Sequence, residues 1–139
     1  MKIARQLWAL ILAAVFAASC SSGQDLATVE AEVARFRQSM AAQQFGQIYS
    51  EASDQLKKTM TEQELVRVLA AIDRKLGPVK DAKKNGWTVN YNTSGTSVTL
   101  KFKTEFDRGA GEETFVYRIT GGKAQLVGYN INSTALITN

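Results

Sequence analysis

The side chains that most often carry out chemistry in proteins are scarce in this sequence. The chain of 139 residues contains no histidine and a single cysteine, Cys20. It therefore lacks the residue types of a His/Cys zinc site, a Ser/His/Asp triad or a Cys/His pair. No glycine-rich phosphate-binding motif occurs either. We expect no metal ion and no cofactor, and we expect that the protein is not an enzyme.

Acidic residues cluster near one predicted hairpin. Glu112 and Glu113 lie close in sequence to Asp107, and three carboxylates together can bind a calcium ion. The favoured interpretation is a solvated hairpin, because charged side chains are mostly exposed. The formal net charge of +4 includes Lys2 and Arg5 of the N-terminal segment; without them 15 basic and 13 acidic residues remain, and this balance is too weak for a nucleic-acid interface, which needs clustered Lys and Arg.

Five aromatic side chains are candidates for a ligand pocket. They fall at alternating positions of predicted strands, so that one face of a sheet would carry them together. Their hydroxyl and indole groups would then orient a bound small molecule. The alternative is that they are core or rim residues whose polar tips reach water. The five residues are Trp87, Tyr91, Phe102, Tyr117 and Tyr129.

A second candidate site is an apolar patch for a partner protein. Strand alternation predicts that Val116 and Leu126 face away from the core. Leu136, in the apolar C-terminal tail, would extend this surface. The alternative is that the tail folds back and covers the patch. The sequence leaves the oligomeric state open.

The first residues have the pattern of an export signal. Lys2 and Arg5 precede an apolar run, residues 7–18. At ~1.5 Å per residue this run spans about 18 Å as a helix, which is short of the ~30 Å hydrocarbon core of a bilayer. A secretory signal peptide is therefore favoured over a transmembrane helix.

Small residues stand immediately before the cysteine. Ala17, Ala18 and Ser19, followed by Cys20, resemble the lipobox of bacterial lipoproteins, although Ala17 stands where that family usually has Leu. The resemblance implies a diacylglycerol on the Cys20 thiol, removal of residues 1–19 and acylation of the new N-terminus. Such an anchor would be effectively permanent, because each buried CH₂ contributes ~0.8 kcal/mol. The alternative is ordinary secretion, which would leave a lone thiol on an exported protein.

The residue after the cysteine bears on location. It is Ser21 and not Asp, which resembles an outer-membrane sorting signal of Gram-negative cells. The resemblance implies a lipid-anchored protein of the bacterial cell envelope, on the periplasmic face of the outer membrane. We predict a short flexible tether over residues 20–26, because Ser21 to Gln24 are small and polar, and one domain over residues 27–139.

Three stretches have the 3.6-residue hydrophobic period of amphipathic helices. The first lies around residues 29–40 and the second around residues 45–56. The third starts with a capping box formed by Thr61 and Glu64, and it stops at a Gly-Pro pair after Leu76.

Four later stretches alternate with a period of two, which predicts β-strands. Short connections between them indicate an antiparallel meander. None of the predicted inward positions carries a carboxylate or an amine, so we expect an interior free of charge. These positions are Trp87, Val89, Tyr91, Val98, Leu100, Phe102, Thr104, Phe106, Phe115, Tyr117, Ile119, Val127, Tyr129 and Ile131.

The order of these elements predicts a two-layer α+β domain, with three N-terminal helices packed on one face of a four-stranded antiparallel sheet. That order, with "YSEASDQLKK" before the capped helix and "KLGP" after it, resembles the cystatin-like fold, also called nuclear transport factor two-like. In particular, the chain is similar to short exported bacterial domains of unknown function. Enzymes with this fold commonly place an acid or a histidine between helices and sheet.

Three functions remain open. The favoured one is a non-enzymatic binding or accessory module for another envelope protein. The alternative is a carrier of a small apolar ligand, which needs a cavity of roughly 300 Å³ or more beside Trp87 and Tyr91. The least favoured is an isomerase- or hydrolase-type enzyme, for which Asp73 and Asp81 are the nearest candidate carboxylates.

Overall fold

The computed structural model describes residues 21–139, so Cys20 and the predicted signal peptide lie outside the described part. Helices come first and a four-stranded sheet follows, which confirms the α+β class and is consistent with a cystatin-like fold. The helices are α1 (Ser21–Ala41), α2 (Phe45–Glu51), α3 (Asp54–Thr59), α4 (Glu62–Leu76) and a C-terminal turn, α5 (Ala135–Thr138). The strands are β1 (Val79–Asn92), β2 (Gly95–Phe106), β3 (Gly109–Thr120) and β4 (Lys123–Asn132).

The second predicted helix is two helices in the structure. Ala52 and Ser53 take extended backbone angles, and the Ser53 hydroxyl accepts a hydrogen bond from the Leu56 amide, which caps α3. The Ser53 amide donates to the carbonyl of Leu126, at 2.9 Å. A serine that caps one helix and bonds to the last strand thus interrupts the hydrophobic period.

The third predicted helix, α4, has the predicted ends. Thr61 and Glu64 form the capping box, in which each side chain accepts from the other residue's backbone amide. Gly77 takes a φ of +75°, a conformation that side chains with a Cβ rarely adopt, and Pro78 follows. The chain leaves α4 at this point and enters β1.

The sheet has the strand order β1-β2-β3-β4, with every neighbouring pair antiparallel. Two irregularities interrupt the β1–β2 register, and one more lies between β3 and β4, where Val116 pairs with Gly128 but Tyr117 pairs with Leu126. Val127 is therefore the extra residue of a β-bulge. This bulge reverses the alternation in the first half of β4.

The helices cover the inner face of the sheet. One continuous core joins α1, α2, α3 and α4 to the inner residues of β2, β3 and β4. A smaller cluster of Ile72, Leu76 and Phe106 fills the end of the domain where α4 passes into β1. The fully buried residues of the main core are Val29, Leu69, Val98, Leu100 and Phe115.

The start of α1 differs from the prediction. The helix begins at Ser21, so the residues predicted as a flexible tether are helical from that position on. None of the helices within residues 21–139 is both long enough and apolar enough to cross a membrane.

Candidate ligand-binding site

A cavity of about 340 Å³ opens between the helices and one end of the sheet. The second half of α1 forms one wall, and the end of α4 with the start of β1 forms another. Most of the lining is apolar or aromatic, and three charged residues contribute to it. The residues used below are Phe36, Arg37, Gln38, Met40, Ile72, Asp73, Val79, Phe106, Glu113 and Tyr129.

The position of the cavity follows from how α1 and α4 end. Phe36 packs against Tyr129 and Phe115, with ring centroids 4.9 and 5.2 Å apart, and so fixes α1 on the sheet. Beyond Phe36, Met40 contacts both core clusters but is only half-buried. The two clusters meet incompletely at this point, and the cavity lies between them.

A buried carboxylate lies at the base of the cavity. Glu113 on β3 is only 2% exposed. Its Oε1 accepts a hydrogen bond from the Tyr129 hydroxyl at 2.8 Å, and its Oε2 accepts one from the Thr104 hydroxyl at 2.5 Å. Both carboxylate oxygens are therefore engaged within the protein.

Arg37 on α1 supplies the charge that opposes Glu113. Its Nη2 lies 2.8 Å from Glu113 Oε2, which is an ion-pair distance. The guanidinium stacks over the rings of Phe102 and Phe115, at 5.1 and 5.5 Å, so cation–π contacts also hold it.

The expectation of an interior free of charge is wrong. Glu113 was assigned to a solvated hairpin, but the hairpin turn lies before Gly109, and Glu113 is well inside β3. Strand alternation alone indicates that Glu113 faces inward, because it lies two residues before Phe115 and residues i and i+2 of a strand share a face. A search for apolar residues passes over Glu113, since a carboxylate is unusual at a buried position.

The two buried tyrosines remain protonated donors. Burial raises the pKa of Tyr129 well above its usual range, and the neighbouring carboxylate of Glu113 raises it further. Burial likewise raises the pKa of Tyr117, and the charge of Glu32 adds to this effect. The Tyr117 hydroxyl donates to the Glu32 carbonyl at 3.4 Å.

The five aromatic residues predicted to line one pocket are not together. Tyr129 lines the cavity, whereas Phe102 lies beneath the Arg37 guanidinium. Tyr117 lines a separate, narrow cleft of about 30 Å³. Trp87 and Tyr91 are each 59% exposed and lie on β1, which is an edge strand of the sheet.

The predicted apolar patch is likewise not one surface. Leu126 is 4% exposed and belongs to the main core, because the bulge at Val127 turns it inward. Val116 is half-buried. Leu136 packs against the cluster of Ile72, Leu76 and Phe106, so the C-terminal tail folds back onto the end of the domain.

Asp73 and Asp81 have different surroundings. Asp73 lines the cavity, and its Oδ2 accepts a hydrogen bond from Gln43 Nε2 at 2.9 Å. Asp81 lies on β1, with Lys83 Nζ 3.8 Å away at the surface. Within residues 21–139, no three His, Cys, Asp or Glu side chains are grouped so that they could hold a metal ion.

Comparison with known proteins adds no assignment. No protein-family model matches the chain. No curated protein matches it significantly. The functional interpretation therefore rests on the cavity, on its charges and on the sequence pattern around Cys20.

Proposed function

We propose that this domain is a non-enzymatic binding module that holds a small, largely apolar ligand between α1, α4 and the sheet. The observation that carries the proposal is the cavity of about 340 Å³ with apolar and aromatic walls. Ligand pockets usually measure ~300–1,000 Å³, so this one suits a small molecule. A CH₂-sized group occupies about as much space as water, roughly 30 Å³, which allows on the order of ten non-hydrogen atoms.

The polar cluster beneath the cavity supports binding in preference to catalysis. A general base must reach the proton that it removes. Glu113 instead accepts from Tyr129 and Thr104 and faces Arg37, so its oxygens are already committed. The cluster holds α1 on β3 and so keeps the cavity open.

The proposal includes a location. The sequence up to Cys20 favours a lipid-anchored protein of the bacterial cell envelope, on the periplasmic face of the outer membrane in a Gram-negative cell. The mature protein would then present its cavity to the aqueous side of that membrane.

A second candidate function is an accessory module for another envelope protein. The exposed Trp87 and Tyr91 on β1 favour it, since large aromatic side chains are enriched at protein interfaces. An edge strand also offers unpaired backbone groups to a partner strand. This surface replaces the patch of Val116, Leu126 and Leu136, which the fold does not bring together.

Filling the cavity tests the ligand-binding proposal. Val79 is 39% exposed and lines the cavity, so Val79→Trp should occupy the space and weaken binding of 2-phenylethanol more than tenfold. Val68 is 47% exposed on α4 and is not part of the lining, so Val68→Trp is the matched control and should bind normally. Ligand-observed NMR with the purified full chain measures both affinities, and thermal unfolding checks that both variants fold. If Val79→Trp and Val68→Trp bound the ligand equally well, the ligand would not lie in this cavity.

A further inference from the structure

The charges in the cavity wall restrict the kind of ligand that it accepts. Three charged residues line the cavity: Arg37, Glu113 and Asp73. Arg37 and Glu113 lie 2.8 Å apart and neutralise each other. The carboxylate of Asp73 is therefore the charge that remains uncompensated within the lining.

Asp73 has a free hydrogen-bonding position. Its Oδ2 accepts from Gln43, whereas its Oδ1 accepts no hydrogen bond from the residues that the structure describes. Asp73 is half-buried, so an ion pair formed there would be only partly screened by water. The side chain of Arg108 donates to the backbone carbonyls of Asp73, Arg74 and Lys75, and Arg108 is not part of the lining.

The rest of the wall suits the same kind of ligand. Phe36, Phe106 and Tyr129 line the cavity, and the faces of aromatic rings attract cations. An anion would be disfavoured, because the carboxylates of Asp73 and Glu113 would repel it. The one cation in the lining, Arg37, already faces Glu113.

We propose that the cavity selects a small apolar amine, whose ammonium group binds Asp73 while its apolar part lies against Phe36, Met40 and Phe106. This inference rests on the proposed ligand-binding function and specifies the chemical class of the ligand. The size of the cavity limits the apolar part to about one aromatic ring or a short branched chain.

Four probes of nearly equal size separate charge from shape. They are 2-phenylethylamine, which is a cation at neutral pH, 2-phenylethanol, n-propylbenzene and benzoate; all have the same number of non-hydrogen atoms. With the purified full chain, the amine should bind about fivefold more tightly than the alcohol, the upper range for partly exposed ion pairs. Benzoate should bind most weakly. Raising the salt concentration should weaken binding of the amine, because salt screens its ion pair, and should leave binding of the alcohol unchanged.

Asp73→Asn tests the assigned residue. Asparagine keeps the shape and still offers an oxygen to Gln43, so the fold should be retained, while the preference for the amine over the alcohol should disappear. Asp54→Asn, in the first turn of α3 and outside the lining, is the control and should keep that preference.

The outcomes distinguish the two proposals. If the alcohol and the amine bind equally well to the unmodified chain, or if Asp73→Asn keeps the preference, the amine inference is wrong while the binding function stands. If none of the four probes binds, the proposed function and this inference fail together.

Discussion

One ion pair with a buried carboxylate, between Arg37 and Glu113, joins α1 to the sheet. Glu113 would be costly to bury alone, and it is tolerated because Arg37, Tyr129 and Thr104 surround its carboxylate. Removing one partner of such a pair is more damaging than replacing both, since the remaining charge stays buried without compensation.

The hydroxyl of Tyr129 offers the mildest test of this cluster. Tyr129→Phe removes one donor to the Glu113 carboxylate and leaves the ring in place against Phe36. A hydrogen bond to a charged group contributes about 1.5–3 kcal/mol, so unfolding in urea should show a loss of that size. Tyr91→Phe is the control, because Tyr91 is exposed, and it should change stability by less than about 0.5 kcal/mol. Equal effects would mean that the Tyr129–Glu113 bond contributes nothing to stability.

Hydrophobic periodicity predicts the elements well and their interruptions poorly. The α+β order, the capped α4 and the four strands all follow from the spacing of apolar residues. The break at Ser53 and the bulge at Val127 do not, because each depends on a contact with a distant strand. Because of the bulge, Leu126 faces the core, and the prediction that it faces outward is wrong. Tyr129, one of the five predicted pocket residues, lines the cavity, whereas the pattern does not point to Glu113 and Arg37, since polar residues carry no hydrophobic signal.

The capping box should contribute measurably to α4, which carries one wall of the cavity. Thr61→Ala removes the hydroxyl that accepts from the Glu64 amide and should lower the free energy of unfolding by about 1 kcal/mol. Thr93→Ala, in the exposed turn between β1 and β2, is a matched substitution and should have little effect. Urea unfolding followed by circular dichroism measures both. If Thr93→Ala lowered the free energy of unfolding as much as Thr61→Ala, the capping box would contribute nothing specific to stability.

At the scale of the whole molecule, the cavity lies beside the second half of α1. This helix spans Ser21–Ala41, and Ser21 follows the proposed anchor residue Cys20 in the sequence. The cavity wall includes Met40, about 28 Å further along the same helix at ~1.5 Å per residue. If Cys20 is acylated, about this length of helix lies between the first described residue and the cavity.

This arrangement depends on acylation of Cys20, which can be tested separately from binding. Cys20→Ser should release the protein from the membrane fraction, because burial of the acyl chains contributes ~0.8 kcal/mol per CH₂ to anchoring. Ser22→Ala keeps the cysteine and should remain membrane-bound. Mass spectrometry of the chain without substitutions should find an N-terminal peptide that begins at acylated Cys20. An unmodified thiol there would remove the anchor but leave the cavity and its charge selectivity intact, because both arise from α1, α4 and the sheet alone.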